Sequence, residues 1–211
     1  MDKRLSIAAT GGLLSFMASP ALAHHPMGGV TPSNFMEGFL SGIGHPIIGV
    51  DHLAFIIAVG LAAAFTTQRF LSPLAFIAAT VAGCLLIVSG VALPFAEIVI
   101  TGSAVLVGAL VLSGRKVPSG LYVAIFAVAG LFHGWAYGEA TVGAETTPLL
   151  AYLVGFAVTQ YAIALAVGWV VLGLWKASGP EAVKPRLTGA VAAGIGAAFL
   201  IENIEGMIFA V

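Results

Sequence analysis

Six long stretches with very few charged residues constrain the fold of this chain more than any other feature. They run approximately over 35–65, 71–93, 96–112, 121–138, 149–175 and 187–211. Each is close to the length of about 20 apolar residues that crosses a hydrocarbon core. Only 8% of the 211 residues are charged, against about a quarter in a soluble domain. Because backbone groups in lipid must be hydrogen-bonded within the chain, the sequence predicts an all-α membrane protein with six transmembrane helices.

The first 23 residues have the pattern of a secretory signal peptide. Lys3 and Arg4 form a basic start, an apolar run follows over 5–18, and Ala21-Leu22-Ala23 is a cleavage site of the A-x-A type. An uncleaved transmembrane helix is the alternative, but the apolar run is short for one. The predicted segments are therefore a signal peptide over 1–23, a short extracytoplasmic tail over 24–34 and a six-helix transmembrane domain over 35–211.

The basic residues predict the orientation in the membrane. All six in the mature chain lie in alternate loops: Arg69, Arg115, Lys116, Lys176, Lys184 and Arg186. Because Lys and Arg concentrate in cytoplasmic loops, both termini of the mature chain are predicted to be periplasmic. The expected location is the bacterial inner (plasma) membrane. The net charge of −1 and the lack of a basic run argue against a nucleic-acid partner.

The first predicted span carries three ionisable side chains, which are costly in a bilayer and are therefore functional candidates. His45, Asp51 and His52 lie within eight residues of one another. On a regular helix His45 and His52 share a face, with Asp51 beside them. Gly44 and Pro46 weaken the helix there and open backbone carbonyls toward a cavity. Imidazole and carboxylate groups at one depth suit a borderline divalent cation; histidines that serve only structural hydrogen bonds are the alternative.

Two further polar groups lie at the outer ends of predicted spans. His133 and Glu139 end the fourth span, and Glu202 and Glu205 share one face of the sixth. An aromatic belt at the membrane interface explains the neighbouring Trp and Tyr, but it does not explain His133 or Glu139. The outer side holds several Glu and no Lys or Arg, so it is predicted to attract cations.

The residue types narrow the predicted ion. The candidate metal ligands are His24, His25, His45, Asp51, His52, His133, Glu139, Glu202 and Glu205. Copper(I) prefers sulfur, and the chain has one Cys and five Met, whereas magnesium and calcium prefer oxygen alone. Imidazole with carboxylate suits nickel, cobalt, zinc or iron(II). We therefore predict a path for a divalent metal ion, with no catalytic residue and no prosthetic group.

The residues around His45 also match a family signature. H-P-x-x-G-x-D-H is the first-span motif of the HupE/UreJ-type metal permeases, and it is filled here without a gap by His45, Pro46, Gly49, Asp51 and His52. The chain resembles that family over its whole length, in its signal peptide, its six spans and a second motif. The resemblance implies a secondary-type permease that takes up nickel, for hydrogenase or urease assembly, or cobalt, for cobalamin.

The second family motif has the form F-H-G-x-A-H-G-x-E. The positions that match it are Phe132, His133, Gly134, Ala136 and Gly138. Tyr137 stands where the family has its second histidine, and Ala140 where it has the glutamate, with Glu139 one position earlier. By this resemblance the ligands or relay groups are His45, Asp51, His52 and His133, with Glu139 as a displaced substitute for the acid.

The sequence is also compatible with two other functions. Histidines in a membrane bundle also serve as axial ligands of haem in electron carriers. A non-transporting accessory protein that delivers metal to a partner is the second alternative. The expected partners are a divalent metal ion and the lipid bilayer, together with a second copy of the chain or a metallochaperone.

Two residue pairs in the predicted spans share one spacing. Five residues separate His45 from Asp51, and five separate His133 from Glu139. These pairs lie in the first and fourth predicted spans, which run in opposite directions. The shared spacing predicts an inverted repeat of three plus three spans.

Overall fold

The computed structural model describes residues 30–209, and all regular secondary structure in this part of the chain is helical. The helices are α1 (Phe35–Ile48), α2 (Val50–Ala64), α3 (Ser72–Val88), α4 (Ala96–Ser113), α5 (Ser119–Gly138), α6 (Thr146–Trp169) and α7 (Val183–Phe209). A 3₁₀ turn, Glu139–Thr141, extends α5, and a π-helical turn, Val170–Leu174, extends α6. The predicted signal peptide and most of the predicted tail lie outside the described residues.

The helices confirm the all-α part of the prediction, and the described residues hold four or five candidate membrane spans where six were predicted. The helices α4, α5, α6 and α7 are each long and apolar enough to cross a membrane. Together α1 and α2 form a fifth candidate, which is bent by 79°, and α3 is apolar but has only 17 residues. Val128, Val158 and Val191 are more than half exposed within their helices, as lipid-facing side chains are.

The first predicted span is not one regular helix. It breaks at Gly49, which ends α1 and begins α2 with φ −71° and ψ 103°. Pro46 weakens the last turn of α1, because it has no N–H to donate to the carbonyl of Gly42. At Gly49 an added Cβ would lie 2.8 Å from the His52 ring, so glycine leaves room for that ring. The prediction that His45 and His52 share a face of one regular helix is therefore wrong.

Three helix pairs pack closely through glycine: α1 with α6, α3 with α5, and α4 with α7. In each pair a Cβ on the glycine would meet the backbone of the facing helix. The facing carbonyls belong to Tyr152 for Gly42, Thr80 for Gly134 and Gly189 for Gly108. Such contacts let membrane helices approach closely where apolar burial alone gives little attraction.

Helix α2 lies among these pairs, in contact with α4, α6 and α7. From Ala54 to Ala64 all its residues except Ile57 are buried. Its first turn carries Asp51 and His52, which the bend at Gly49 turns back toward α1. The break thus places the polar end of α2 in the interior of the helix assembly.

Candidate functional site

Three of the predicted histidines and the predicted aspartate are buried together. His45 comes from α1, Asp51 and His52 from the first turn of α2, and His133 from α5. None of the four exposes more than 3% of its surface. We call these four residues the buried cluster. The bend at Gly49, rather than a common helical face, brings the first three together.

Two imidazoles of the buried cluster contact each other directly. Nδ1 of His52 lies 3.0 Å from Nδ1 of His133, and Oδ2 of Asp51 lies 3.9 Å from the same His52 nitrogen. The His133 ring also stacks on Phe55, with the ring centroids 4.3 Å apart. Two nitrogens that each bind one metal ion at about 2.0–2.1 Å are themselves about 2.9–3.4 Å apart when they are neighbouring ligands. The His52–His133 spacing therefore fits either a hydrogen bond or two ligands of one ion.

Two tyrosines join His45 to the other imidazoles. The hydroxyl of Tyr152 lies 2.7 Å from Nδ1 of His45 and donates to the carbonyl of Tyr137 at 2.8 Å. The Tyr137 ring packs against His45 and His52, with centroid distances of 5.0 and 4.4 Å. Tyr137, which stands at the position of the second histidine in the family motif, thus packs against both imidazoles.

The side chains of the buried cluster contact one another and their neighbours rather than a common point. Within residues 30–209, no three His, Cys, Asp or Glu side chains surround a common point as a metal ion requires. His52 and His133 face each other, while Nδ1 of His45 faces Tyr152. An ion in the buried cluster must therefore replace the contact between His52 and His133 and draw in a third ligand.

Two hydroxyl groups at the buried cluster were not predicted. Oγ of Ser103, on α4, lies 3.0 Å from Nε2 of His133 and donates to the carbonyl of Ile100 at 2.6 Å. Tyr152, on α6, plays the corresponding part for His45. A serine in an apolar span is common where helices pack closely, and a tyrosine is common at the membrane interface. The sequence alone therefore does not mark Ser103 or Tyr152 as site residues.

The predicted glutamates lie apart from the buried cluster. Glu139 lines a groove of about 1010 Å³ together with Glu202 and Glu205 of α7, and Glu97 of α4 adds a fourth carboxylate to the lining. The described residues that line this groove include no Lys or Arg. We call it the acidic groove. The sequence predicted three of its four acids, but it did not single out Glu97 as a ligand.

Helix α5 contributes to both the acidic groove and the buried cluster. Trp135 and Glu139 line the groove, whereas His133 and Tyr137, each two residues away from one of them, are fully buried. Nε1 of Trp135 donates to the carbonyl of Val91 at 2.8 Å, which ties this end of α5 to the segment before α4. The two sites therefore lie on different faces of the same helical turns. The predicted ligands His24 and His25 lie outside the described residues.

The fold and the buried cluster are those of a helical membrane protein that holds imidazole and carboxylate groups buried among its helices. The chain belongs to the HupE / UreJ protein family, whose model matches residues 12–199. It is 31% identical over 192 residues to Protein HupE of Rhizobium leguminosarum bv. viciae, which covers 89% of this chain and 95% of that protein. No solved structure matches the chain significantly.

These comparisons confirm the family resemblance that the two motifs carry. The family is associated with nickel and cobalt uptake and is a transporter or accessory family rather than an enzymatic one. The chain therefore belongs to a family that is related to nickel and cobalt handling.

Proposed function

We propose that the chain is a secondary-type uptake permease for Ni²⁺ or Co²⁺, and that the ion passes through the buried cluster. The observation that carries the proposal is the 3.0 Å approach of His52 and His133, which come from different helices and present the same ring nitrogen to each other. That spacing fits two ligands of one ion. The association of the family with nickel and cobalt supports these two metals over zinc and iron.

The acidic groove is the first station on the proposed path. With α1 and α2 as one broken span and α3 as another, the chain crosses the inner membrane six times, and the groove faces the periplasm. Four carboxylates with no basic side chain in the described lining concentrate divalent cations there. The cleaved signal peptide, the periplasmic termini and metal binding by His24 and His25 belong to the same proposal.

The buried cluster is the second station. A divalent ion that leaves water inside the membrane needs compensating charge and replacement ligands. Asp51 supplies the charge, and His52 and His133 supply nitrogen ligands once their mutual contact opens. Because histidine changes its charge near neutral pH, protonation of these imidazoles couples metal release to protons. A transport rate that is independent of pH and of the proton gradient would contradict this coupling.

Buried side chains of α2 close the inner end of the proposed path. The residues of α2 beyond His52 are almost all buried. A cavity of about 260 Å³ lies beside the last turn of α2, lined among others by Thr66, Arg115 and Lys116, which are predicted to be cytoplasmic. We infer that the ion leaves through this cavity after the helices around α2 move apart.

The haem alternative fits the site less well. Two histidines that bind one haem iron lie on opposite faces of the porphyrin. His52 and His133 instead touch directly, in a pocket that Phe55 and Tyr137 help to close. Purified protein is therefore expected to show no haem absorption band in visible light.

Metal accumulation in cells that lack their own nickel and cobalt importers tests the proposed function. Nickel, cobalt, zinc and iron are offered separately at trace level, and the amount of protein in the membrane is measured for each variant. The intact protein should accumulate nickel or cobalt, and His52→Ala should fall to background. Thr147→Ala, an exposed change at the start of α6, is the control and should accumulate as the intact protein does. If the intact protein reaches the membrane and accumulates no metal, the permease proposal is wrong and the accessory role gains support.

A further inference from the structure

Two hydroxyl groups contact ring nitrogens of the buried cluster, and each hydroxyl has a single proton to donate. Ser103 contacts His133, and Tyr152 contacts His45. Each hydroxyl also contacts a backbone carbonyl, Ile100 for Ser103 and Tyr137 for Tyr152. A carbonyl oxygen can only accept a hydrogen bond, so both contacts of each hydroxyl are hydrogen bonds when the hydroxyl donates to the carbonyl and accepts from the imidazole.

This pattern of hydrogen bonds determines which ring nitrogen of His133 carries the proton. Because the Ser103 proton is given to Ile100, Oγ must accept from Nε2 of His133 across their 3.0 Å contact. Neutral imidazole carries one N–H proton, so Nδ1 of His133 is then unprotonated; we call such an unprotonated ring nitrogen bare. That bare nitrogen is the atom that faces His52.

The same reasoning applies to His45 with the ring nitrogens exchanged. The Tyr152 proton is given to Tyr137, so the hydroxyl accepts from Nδ1 of His45 at 2.7 Å. Nε2 of His45 is then the bare nitrogen. His52 must in turn donate its Nδ1 proton to His133, so it is the histidine whose proton has to move before that nitrogen binds an ion.

We propose that Ser103 and Tyr152 are positioning residues that fix the tautomers of His133 and His45, so that each presents a bare nitrogen to the cargo ion. The proposal rests on the proposed function for the identity of that ion. Hydrogen-bond partners behind a metal-binding histidine commonly set its tautomer and ring orientation, and their loss costs about 10–100-fold in metal affinity. Here hydroxyl groups from α4 and α6 do so for histidines on α5 and α1.

Nitrogen NMR of purified, metal-free protein labelled at the histidine ring nitrogens tests the proposal, because protonated and bare ring nitrogens give separate signals. The intact protein should show His133 protonated at Nε2 and His45 at Nδ1, with the signals assigned by His133→Gln and His45→Gln. Ser103→Ala should release the His133 tautomer, and Ser103→Thr, which keeps a hydroxyl, should restore it. Tyr152→Phe should release only the His45 tautomer.

Nickel and cobalt binding to the same samples is measured by titration calorimetry, and thermal unfolding checks that each variant is folded. Ser103→Ala should bind about tenfold or more weakly, with Ser103→Thr close to the intact protein. An unchanged His133 tautomer in folded Ser103→Ala would overturn the proposal, as would a released tautomer with unchanged affinity. If the intact protein shows both tautomers and binds neither metal, the tautomer assignment stands and the proposed cargo is wrong.

Discussion

Two buried histidines of this protein sit in the same kind of packing unit. In the first unit, Gly42 precedes His45 by three residues and faces the carbonyl of Tyr152 on the neighbouring helix α6. The Tyr152 ring lies beside the His45 ring, with centroids 6.1 Å apart and planes at 72°. One glycine thus brings the partner helix close enough for its aromatic residue to reach the histidine.

The second unit repeats this arrangement on other helices. Gly130 precedes His133 by three residues and faces the carbonyl of Phe76 on α3. The Phe76 and His133 ring centroids are 5.8 Å apart, with planes at 80°. The partner helices α3 and α6 also both carry a hydroxyl residue followed by proline in their first turn, Ser72-Pro73 and Thr147-Pro148. The inverted repeat stays a prediction, and this is the packing that such a repeat would produce.

The differences between the units are more informative than the likeness. His45 has its hydroxyl partner within its own unit, whereas Phe76 has no hydroxyl and His133 takes its partner from Ser103. The acids at equal spacing also separate: Asp51 is buried because α1 breaks at Gly49, while Glu139 is exposed in the acidic groove. One acid therefore stays with the buried histidines, and the other lies where ions arrive from water.

The largest expected effect comes from exchanging each of these two acids for its amide. Asp51→Asn should reduce metal uptake to background at every ion concentration, because the buried site then lacks the charge that compensates a divalent ion. Glu139→Gln should keep the maximal rate. Initial uptake rates across a range of nickel or cobalt concentrations, normalised to protein in the membrane, measure both. Equal losses in the two variants would show that the acids play one role.

Adding a methyl group at the matching glycines tests whether the two units are equally tight. Gly42→Ala and Gly130→Ala should each lower the free energy of unfolding by about 1–3 kcal/mol, because the new Cβ meets the backbone of the partner helix. Gly102→Ala is the control, since no atom lies within 4 Å of a Cβ there, and it should be neutral or slightly stabilising. Thermal unfolding in detergent measures all three. A destabilised control with unaffected Gly42 and Gly130 variants would contradict the described packing.

The helices and the cluster residues were predictable because each leaves a one-dimensional signal. Apolar stretches gave the helices to within a few residues at most ends, and ionisable residues such as Asp51 and His133 stand out in such stretches. The prediction of a weakened helix near Gly44 and Pro46 pointed to the right segment, but the break lies at Gly49. The sequence pattern alone does not choose between Gly44, Pro46 and Gly49 as the position of the break. The choice depends on the packing of the His52 ring against Gly49, where a Cβ would collide with that ring.

The contacts between distant helices were beyond the sequence. Ser103 lies 30 residues from His133, and Tyr152 lies 107 from His45. Neither pair shares a helix, so no spacing rule relates its members. The meeting of Glu97 with the predicted acids likewise depends on how α4, α5 and α7 pack, which small residues such as Gly108 control at close range.

Adding a hydroxyl to Phe76 tests whether the two units differ only in that group. Because the ring geometry of Phe76 and His133 resembles that of Tyr152 and His45, Phe76→Tyr should place a hydroxyl close to His133. Alone this substitution should lower the free energy of unfolding by about 1–3 kcal/mol, since Ser103 already contacts His133 and the new hydroxyl lacks a partner. Combined with Ser103→Ala it should recover part of the loss, with a coupling of about 0.5–3 kcal/mol in a double-mutant cycle. Strict additivity of the two changes would show that the units differ in more than the hydroxyl.

The smallest expected effect concerns the exposed acid of the second unit. Glu139→Gln should raise the KM for nickel or cobalt severalfold at low ionic strength, because one of four carboxylates in the acidic groove is lost. The difference should shrink as salt is added, since exposed charges are screened over about 10 Å at 0.1 M ionic strength. Glu145→Gln is the control: this glutamate is also exposed but does not line the groove, so its KM should stay at the intact value. A Glu139→Gln effect that persists at high salt would instead place Glu139 among the direct ligands, as the buried acid of the first unit is proposed to be.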